Sequence, residues 1–551
     1  MPARPRAAAD RPASRIPRTP RDPDALGRHP LMLPGLVGLG GSLMLVVASF
    51  VVGHAPAESG LSQLAVVGGL RVSPTATGIA SAAVVIGGVL MVAAWLLLGA
   101  LLPRLGDRAI RAVLGLSVLW TTPLLASVPL FSRDVYSYIA QGRVLGAGLS
   151  PYEHGPAVLA DWRSTGVDPL WAHNPAPYGP LYLLVERGLG AIDTAISTEA
   201  AVLGARLVSV AGVILMVWCG YRIARRRRID PVRALWFLAA SPLVSFNFVI
   251  AAHNDALMMG LLVAGLLAAI DSRPVLAVLL VTAAVAVKPI ALVALPVVAI
   301  VHAEMRARRV DDRAPAGVAV DGSAGAVVGL RAPTRDPRVW AAWTASGIAA
   351  MGLLAIGGQL LGVGLGWISA LSSPVSVVSW FMPFGLAAGA IGPLADVLGG
   401  PGDAVEGGIK TAGILIGFAG AAWCILTTRT LSGEARLALA FACIVAMSPV
   451  VYPWYGLWVL VVLAVVGIAD GAAMSLAVSA TVFLVGVNLL EPMAVVHTVA
   501  SGWPRFLVVL IAVVGILGVL APGLQGLAGT DPFRALRAPR HQFSAARVPP
   551  A

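Results

Sequence analysis

The chain has 551 residues, of which 58% are hydrophobic and only 12% charged, with a formal net charge of +12. A soluble domain carries about 25% charge, so half that share, with a mean hydropathy of +0.85, excludes an ordinary soluble fold and predicts an all-α polytopic membrane protein. Nucleic acid is set aside as a partner, because the basic balance is carried by arginines suited to holding loops against anionic lipid headgroups.

Residues 1–30, rich in Arg, Pro and Ala, have too little apolar content to fold and read as a disordered cytoplasmic tail. Their charged stretch is too long for a cleavable signal peptide, and further spans follow it. Apolar runs then lie near 31–52, 76–102, 110–130, 199–221, 232–252, 255–270, 274–288, 289–303, 339–361, 408–428, 435–450, 454–470, 473–490 and 503–522. They predict about 14 (12–14) transmembrane helices, several of them short. Around Lys288-Pro289 the chain forms either one bent span or two short ones.

Placing the N-terminus inside puts 1–30, 103–111, 222–233, 271–274, 303–338, 429–436 and 523–551 in the cytoplasm. Those segments hold roughly 30 of the 39 Lys and Arg, as the positive-inside rule requires. Arg225 to Arg228 form the strongest single anchor. The membrane domain is thus 31–522, with 303–338 a flexible cytoplasmic loop and 523–551 a cytoplasmic C-terminal tail. The outer face receives two large loops, 131–198 and 362–407, the turn at 252–255, the segment 451–454 and the loop 491–502. No internal repeat or inverted symmetry is visible, which counts against a secondary transporter.

The polar residues that invite chemistry gather on that outer face. The stretch Phe131 to Gly142 leaves the run 110–130 as an interfacial helix. Ser132 can cap it and put Asp134 in its first turn. Helical spacing gives Asp134, Ser137, Tyr138 and Gln141 one common face, turned to an aqueous cleft. A carboxylate so close to a span costs solvation energy unless it has a purpose or a partner. A first-turn acid also gains roughly 0.3–1 kcal/mol from the helix dipole, which explains the position with no chemistry. Tyr152, Trp162, Trp171, Asn174 and Tyr178 make the rest of the loop polar and aromatic, fit to cradle a substrate.

In His253-Asn254-Asp255, either Asn254 or Asp255 can cap the helix that follows. His253 has no such role and can hold a phosphate or a sugar hydroxyl. Lys288 is a point charge suited to a phosphate, or a lysine snorkelling from a span end. Tyr452, Trp454 and Tyr455 are either interfacial belt residues or a stacking surface for a sugar. Arg505 reads as an anchor. Cys219, Cys424 and Cys443 lie inside apolar runs and predict neither a disulfide framework nor a zinc site. The chain has no GxGxxG, Walker A or HExxH motif, so a nucleotide-sugar donor and a cytoplasmic reaction are disfavoured.

In this order, Ser132-Arg-Asp-Val-Tyr-Ser-Tyr138, Gly148-Leu-Ser-Pro-Tyr152, Pro177-Tyr-Gly-Pro180, His253-Asn-Asp-Ala-Leu257, Val287-Lys-Pro289, Gly366-Trp-Ile-Ser369 and Ser448-Pro with Tyr452-Pro-Trp-Tyr455 resemble the actinobacterial polyprenol-phosphate-mannose-dependent α-(1→6)-mannosyltransferases of the MptA/MptB type. The likeness runs from about residue 30 to 520, and its specificity lies in the order of the motifs.

The resemblance implies a GT-C fold in the plasma membrane, with its active site on the outer face. Its donor is polyprenyl-phosphate-mannose and its acceptor a lipid-anchored mannan, in lipomannan and lipoarabinomannan core synthesis. Asp134 matches the catalytic acid of the first large exterior loop. GT-C enzymes commonly carry that acid after their first span, whereas two further spans precede it here, and these read as an N-terminal addition.

The chemistry implied is an inverting single displacement with Asp134 as base. Lys288, His253 and Arg133 are the candidates for the donor phosphate. Tyr138, Gln141, Tyr152, Asn174, Tyr178, Asn254, Asp255, Tyr452, Trp454 and Tyr455 are candidates for the sugar and acceptor. No cofactor and no metal are expected. The competing readings are a GT-C transferase of another sugar or linkage, such as α-(1→2)-mannosyl or arabinosyl, and a lipid or solute transporter.

Overall fold

Long runs of Ala, Leu and Val with small residues between them favour helices that satisfy their own backbone groups. The computed structural model describes residues 29–311, 337–370, 382–428, 430–469 and 471–490. Among the described residues there is no strand. The first two helices, α1 (Met32–Val52) and α2 (Pro74–Leu105), pack along one another. A side chain on Gly41 would stand 2.7 Å from the Gly87 carbonyl, so only small residues allow this approach. After Gly106 the chain turns into α3 (Ala109–Leu124).

A pair of helices outside the long apolar set follows, α4 (Asp134–Gly146) and α5 (Pro180–Ala195). They cross where Gly142 meets the Glu186 backbone and Gly190 meets that of Arg143. Helix α6 (Thr198–Arg227) is capped by Ser197, whose hydroxyl accepts the Ala200 N–H, and ends in three arginines that suit its C-terminal dipole. Asp230 caps α7 (Pro231–Leu238), and Ser245–Ile250 then widens into a π turn.

Helix α8 (Asp255–Ile270) is apolar all round and buried on nearly every side, the mark of a central helix. It packs against α6 with Gly260 on Gly212, and against α9 (Pro274–Val287). A 3-10 turn over Pro289–Val293 leads into α10 (Ala294–Asp311). The remaining helices of more than ten residues are α11 (Pro337–Leu360), α12 (Pro383–Val397), α13 (Gly402–Thr427), α14 (Gly433–Met447), α15 (Tyr455–Val466) and α16 (Ala472–Leu490), and shorter ones lie at Gly60–Gln63, Ala65–Val72, Pro242–Val244 and Trp367–Ala370.

Each predicted apolar run from 31–52 to 473–490 falls on helical chain; the run at 503–522, with Arg505, the loop 491–502 and the C-terminal tail, lies outside the described residues. Among the described residues eight helical segments are long and apolar enough to cross a membrane. Helices α8, α9, α12 and α15 are apolar but shorter. A count of fourteen therefore includes helices too short to cross unaided.

Lys288 divides 274–303 into two pieces: it is extended, with φ −143° and ψ 119°, because Pro289 disfavours the helical region for the residue before it. The stretch 362–407 differs from the expected loop. It contains α12, which packs on α13, while 371–381 lies outside the described residues. The loop expected over 303–338 overlaps α10, which runs to Asp311, and α11, which starts at Pro337; 312–336 lies outside the described residues. Of the N-terminal tail, 1–28 lies outside the described residues.

Candidate active site

Two segments leave the helical bundle at one end and face each other there. The first follows α3 and delivers Asp134; the second follows the π turn and delivers His253. Each passes through a non-glycine residue with positive φ just before the site, Phe131 at 68° and Ala252 at 55°. Such backbone costs of order 1–3 kcal/mol and persists only where packing enforces it. Phe131 is clamped by stacking on Phe246, 4.8 Å between centroids. Arg206, buried in α6, fastens the two segments together. Its guanidinium donates to the carbonyls of Leu125 at 3.0 Å, Val249 at 3.1 Å and Ile250 at 3.0 Å.

On this frame Asp134 Oδ2 stands 3.4 Å from His253 Nδ1. The imidazole is fully buried and stacked on Trp454, with centroids 3.7 Å apart. The Asp134 side chain keeps 19% exposure and lines a cleft of about 180 Å³. Arg133 holds the N-cap position, so Ser132 is not the cap expected; its hydroxyl instead accepts the Asp134 N–H at 3.1 Å.

Behind the cleft lies a second acid. Asp255 is fully buried, and both its oxygens are taken: Oδ2 by Lys288 Nζ at 2.8 Å, Oδ1 by the Trp458 indole N–H at 2.6 Å. The Asp255 carboxylate therefore binds side chains of α9 and α15 rather than capping α8. Lys288 also lies over the rings of Tyr455 at 5.3 Å and Trp458 at 5.6 Å, a cation–π arrangement that holds the ammonium at the cleft. It is not a snorkelling lysine.

Of the predicted residues, the structure brings Asp134, Gln141, Asn174, Tyr178, Lys288, Tyr452, Trp454 and Tyr455 to the cleft wall. Tyr452 lies parallel to Trp454, 4.5 Å away, and Tyr455 stacks on Trp458 at 4.3 Å, so the wall is an aromatic platform fit for a sugar face. The side-chain oxygens of Ser137 and Gln141 have no hydrogen-bond partner among the described residues.

Four residues are elsewhere. Arg133 faces a separate cavity and donates to His54 Nδ1 at 3.2 Å. Tyr138 is packed edge-on between Tyr178 and Tyr182. The Tyr152 hydroxyl donates to the Tyr178 carbonyl at 2.8 Å and shapes the loop. Asn254 is buried at the N-cap of α8 with no capping bond. Sequence reasoning missed Trp458, Arg206 and Glu186. Trp458 was legible as the residue one helical turn after Trp454. Glu186 is fully buried, and burial pushes its carboxyl well above the usual range. Among the described residues no three His, Cys, Asp or Glu side chains converge as a metal site.

Comparison with known proteins points the same way. Residues 35–304 match a family described as α-(1→6)-mannopyranosyltransferase, N-terminal domain. An α-(1→6)-mannopyranosyltransferase of Mycobacterium tuberculosis is 32% identical over 413 residues, 69% of either chain. A second from that organism, α-(1→6)-mannopyranosyltransferase A, is 35% identical over 301 residues, 54% of this chain and 53% of the other. α-(1→6)-Mannopyranosyltransferase A of Corynebacterium glutamicum is 30% identical over 397 residues, 69% of this chain and 77% of its own. No solved structure matches the chain.

Proposed function

This membrane protein belongs to the α-(1→6)-mannopyranosyltransferase family, and we propose that it moves mannose from polyprenyl-phosphate-mannose to a lipid-anchored mannan, in lipomannan and lipoarabinomannan core synthesis. The reaction takes place on the outer face of the plasma membrane, within a GT-C architecture whose two ends are cytoplasmic. Spans α1 and α2 precede the core that carries Asp134.

The observation that carries this reading is the division of labour at the cleft. Asp134 is open to it beside His253, and Lys288 lines the same cleft. A mostly apolar groove between α5, α9 and α11 is lined by Leu181, Leu184, Leu279, Ala283, Leu353 and Leu360, and Ala286, two residues before Lys288, also lines it. In the proposed reaction a polyprenyl tail lies in that groove.

The acceptor 6-hydroxyl oxygen then attacks C1 of mannose while the C1–O bond to phosphate breaks. The hydroxyl proton passes to the Asp134 carboxylate. The bonding pair leaves with the phosphate, whose added charge Lys288 meets. His253, held by Trp454, orients the carboxylate. One displacement inverts the β-linked donor to an α-mannoside. The aromatic wall meets the sugar at Tyr452, which Trp454 backs from the side of His253.

The test is direct. Purified protein is given radiolabelled polyprenyl-phosphate-mannose and short synthetic α-mannosides, and the product is mapped for linkage and anomeric configuration. A new α-(1→6) bond is expected. A β anomer refutes the single displacement, and an α-(1→2) bond refutes the assigned acceptor hydroxyl.

A further inference from the structure

Next to the candidate active site lies a larger cavity of about 940 Å³ that the reaction above does not use. Its walls come from the end of α1, from Arg71 just before α2, from Arg133, and from residues 162–169 of the first loop. Three guanidinium groups line it: Arg71, Arg133 and Arg163. Arg71 is spent on the carbonyls of Phe50 and Gly53. Arg133 uses its Nε on His54, and Arg163 lies over the Trp162 ring at 5.1 Å. Among the described residues none of the three has a carboxylate within ion-pair distance. Asp168, the one acid lining the cavity, accepts the Leu170 N–H at 2.9 Å.

Three cations and one carboxylate around one space leave an excess of positive charge that an anion would offset. The field is felt by His54: burial, then Arg133, then Arg71, lower its imidazole to about 3, so it stays neutral and accepts from Arg133. A guanidinium fork matches the paired oxygens of a phosphate. The cavity also has room beyond a single phosphate, and the Trp162–Arg163 pair gives it a flat wall.

We propose that this cavity is a second anionic site, separate from the cleft at Asp134, that binds the phosphodiester headgroup of an amphiphile through Arg133 and Arg163. The ligand chemistry is a phosphate bearing a polyol substituent. It comes either from an anionic membrane lipid or from a soluble phosphorylated polyol. Arg133 precedes Asp134 in the chain, so a headgroup bound here abuts the first turn of α4 from the side away from the cleft.

The full-length protein in neutral detergent is titrated with phosphatidylglycerol and, separately, with phosphatidylcholine, and bound lipid is read by native mass spectrometry. Phosphatidylglycerol is expected to bind at one saturable site in preference to phosphatidylcholine. The double variant Arg133→Gln/Arg163→Gln is expected to weaken it roughly 100-fold, about tenfold or ~1.4 kcal/mol for each guanidinium removed. Arg133→Lys/Arg163→Lys restores part of the affinity, since charge returns without the fork.

Displacement of the lipid by millimolar glycerol 1-phosphate identifies the headgroup alone as sufficient; retention against it identifies the membrane lipid as the source. Unchanged phosphatidylglycerol binding in the double variant overturns the proposal, as does equal binding of phosphatidylcholine. So does loss of binding in Lys288→Gln with Arg133 and Arg163 intact, which places the lipid in the other cleft. If the double variant elutes as an aggregate, Arg163→Gln alone decides the matter, because that side chain is exposed and carries no backbone bond.

Discussion

Asp134 lines the cleft, Asp255 lies buried behind it, and the two differ in almost every physical respect. Asp255 is sealed from solvent and fully subscribed, by an ammonium on one oxygen and an indole N–H on the other. Asp134 keeps a fifth of its side chain open and has one ion-pair contact among the described residues, an imidazole at 3.4 Å. A carboxylate held on both oxygens is a fixed charge that positions its partner. A carboxylate with a free edge can accept a proton from a substrate. The same residue type is thus held as scaffold in one place and, in the proposed reaction, serves as reagent in the other.

Removing the reagent should cost most. Asp134→Asn is expected to lower the rate of mannose transfer by about 10³-fold, within the usual range for a lost general base, with the thermal unfolding midpoint in detergent unchanged. A rate within tenfold of the parent would end the assignment. The scaffold should fail differently. Asp255→Asn leaves Lys288 without its carboxylate and is expected to cost ~3–5 kcal/mol of stability, read as a lower thermal midpoint, along with transfer. Adding Lys288→Met should recover the midpoint and leave transfer lost. If the double variant is as unstable as the single, the pair is not what Asp255 is for.

A smaller effect is expected on the aromatic wall. Trp454→Ala removes the plate under His253 and should raise KM for the acceptor roughly tenfold, whereas Trp454→Phe should keep most of the affinity, since ring stacking is worth about 0.5–1.5 kcal/mol beyond burial.

Glu186 should matter least, and through pH. Its folded carboxyl titrates above the ordinary value of 4.5, so the native state holds a proton that the unfolded state releases. Stability is therefore undiminished below the ordinary value and falls as pH rises above it. Glu186→Gln should flatten that fall above pH 4.5 while leaving transfer near normal. A parent midpoint that rises over that window contradicts the sign.

Much of this was legible because it rests on short-range rules. Apolar runs announced every described long helix, and the i, i+3, i+7 pattern of Asp134, Ser137 and Gln141 put all three on the cleft wall. The order Lys288-Pro289 announced the helix break. What escaped was whatever depends on segments far apart in the chain. Arg133 looked like a neighbour of Asp134, yet successive residues on a helix start point apart, and its guanidinium went to His54 instead. Arg206 reads as one more arginine in an apolar run until the carbonyls of Leu125, Val249 and Ile250 arrive around it. The π turn before His253 has no signal in Ser245–Ile250. Glu186 was visible as an acid on the buried stripe of Tyr182, Leu183 and Leu189, and went unweighed.

The first loop has one more attachment. The Gly179 N–H donates to the Val287 carbonyl at 3.2 Å, at the end of α9 beside Lys288. A side chain at Gly179 would meet the Ala286 carbonyl at 2.5 Å. The loop that carries Tyr178 is thus riveted to the helix break that carries Lys288. Lifting it would strip a carbonyl of its partner and open the packing beneath. The loop wall and the helix break are therefore held at one fixed spacing at Gly179, and the part of the cleft between them is a standing recess.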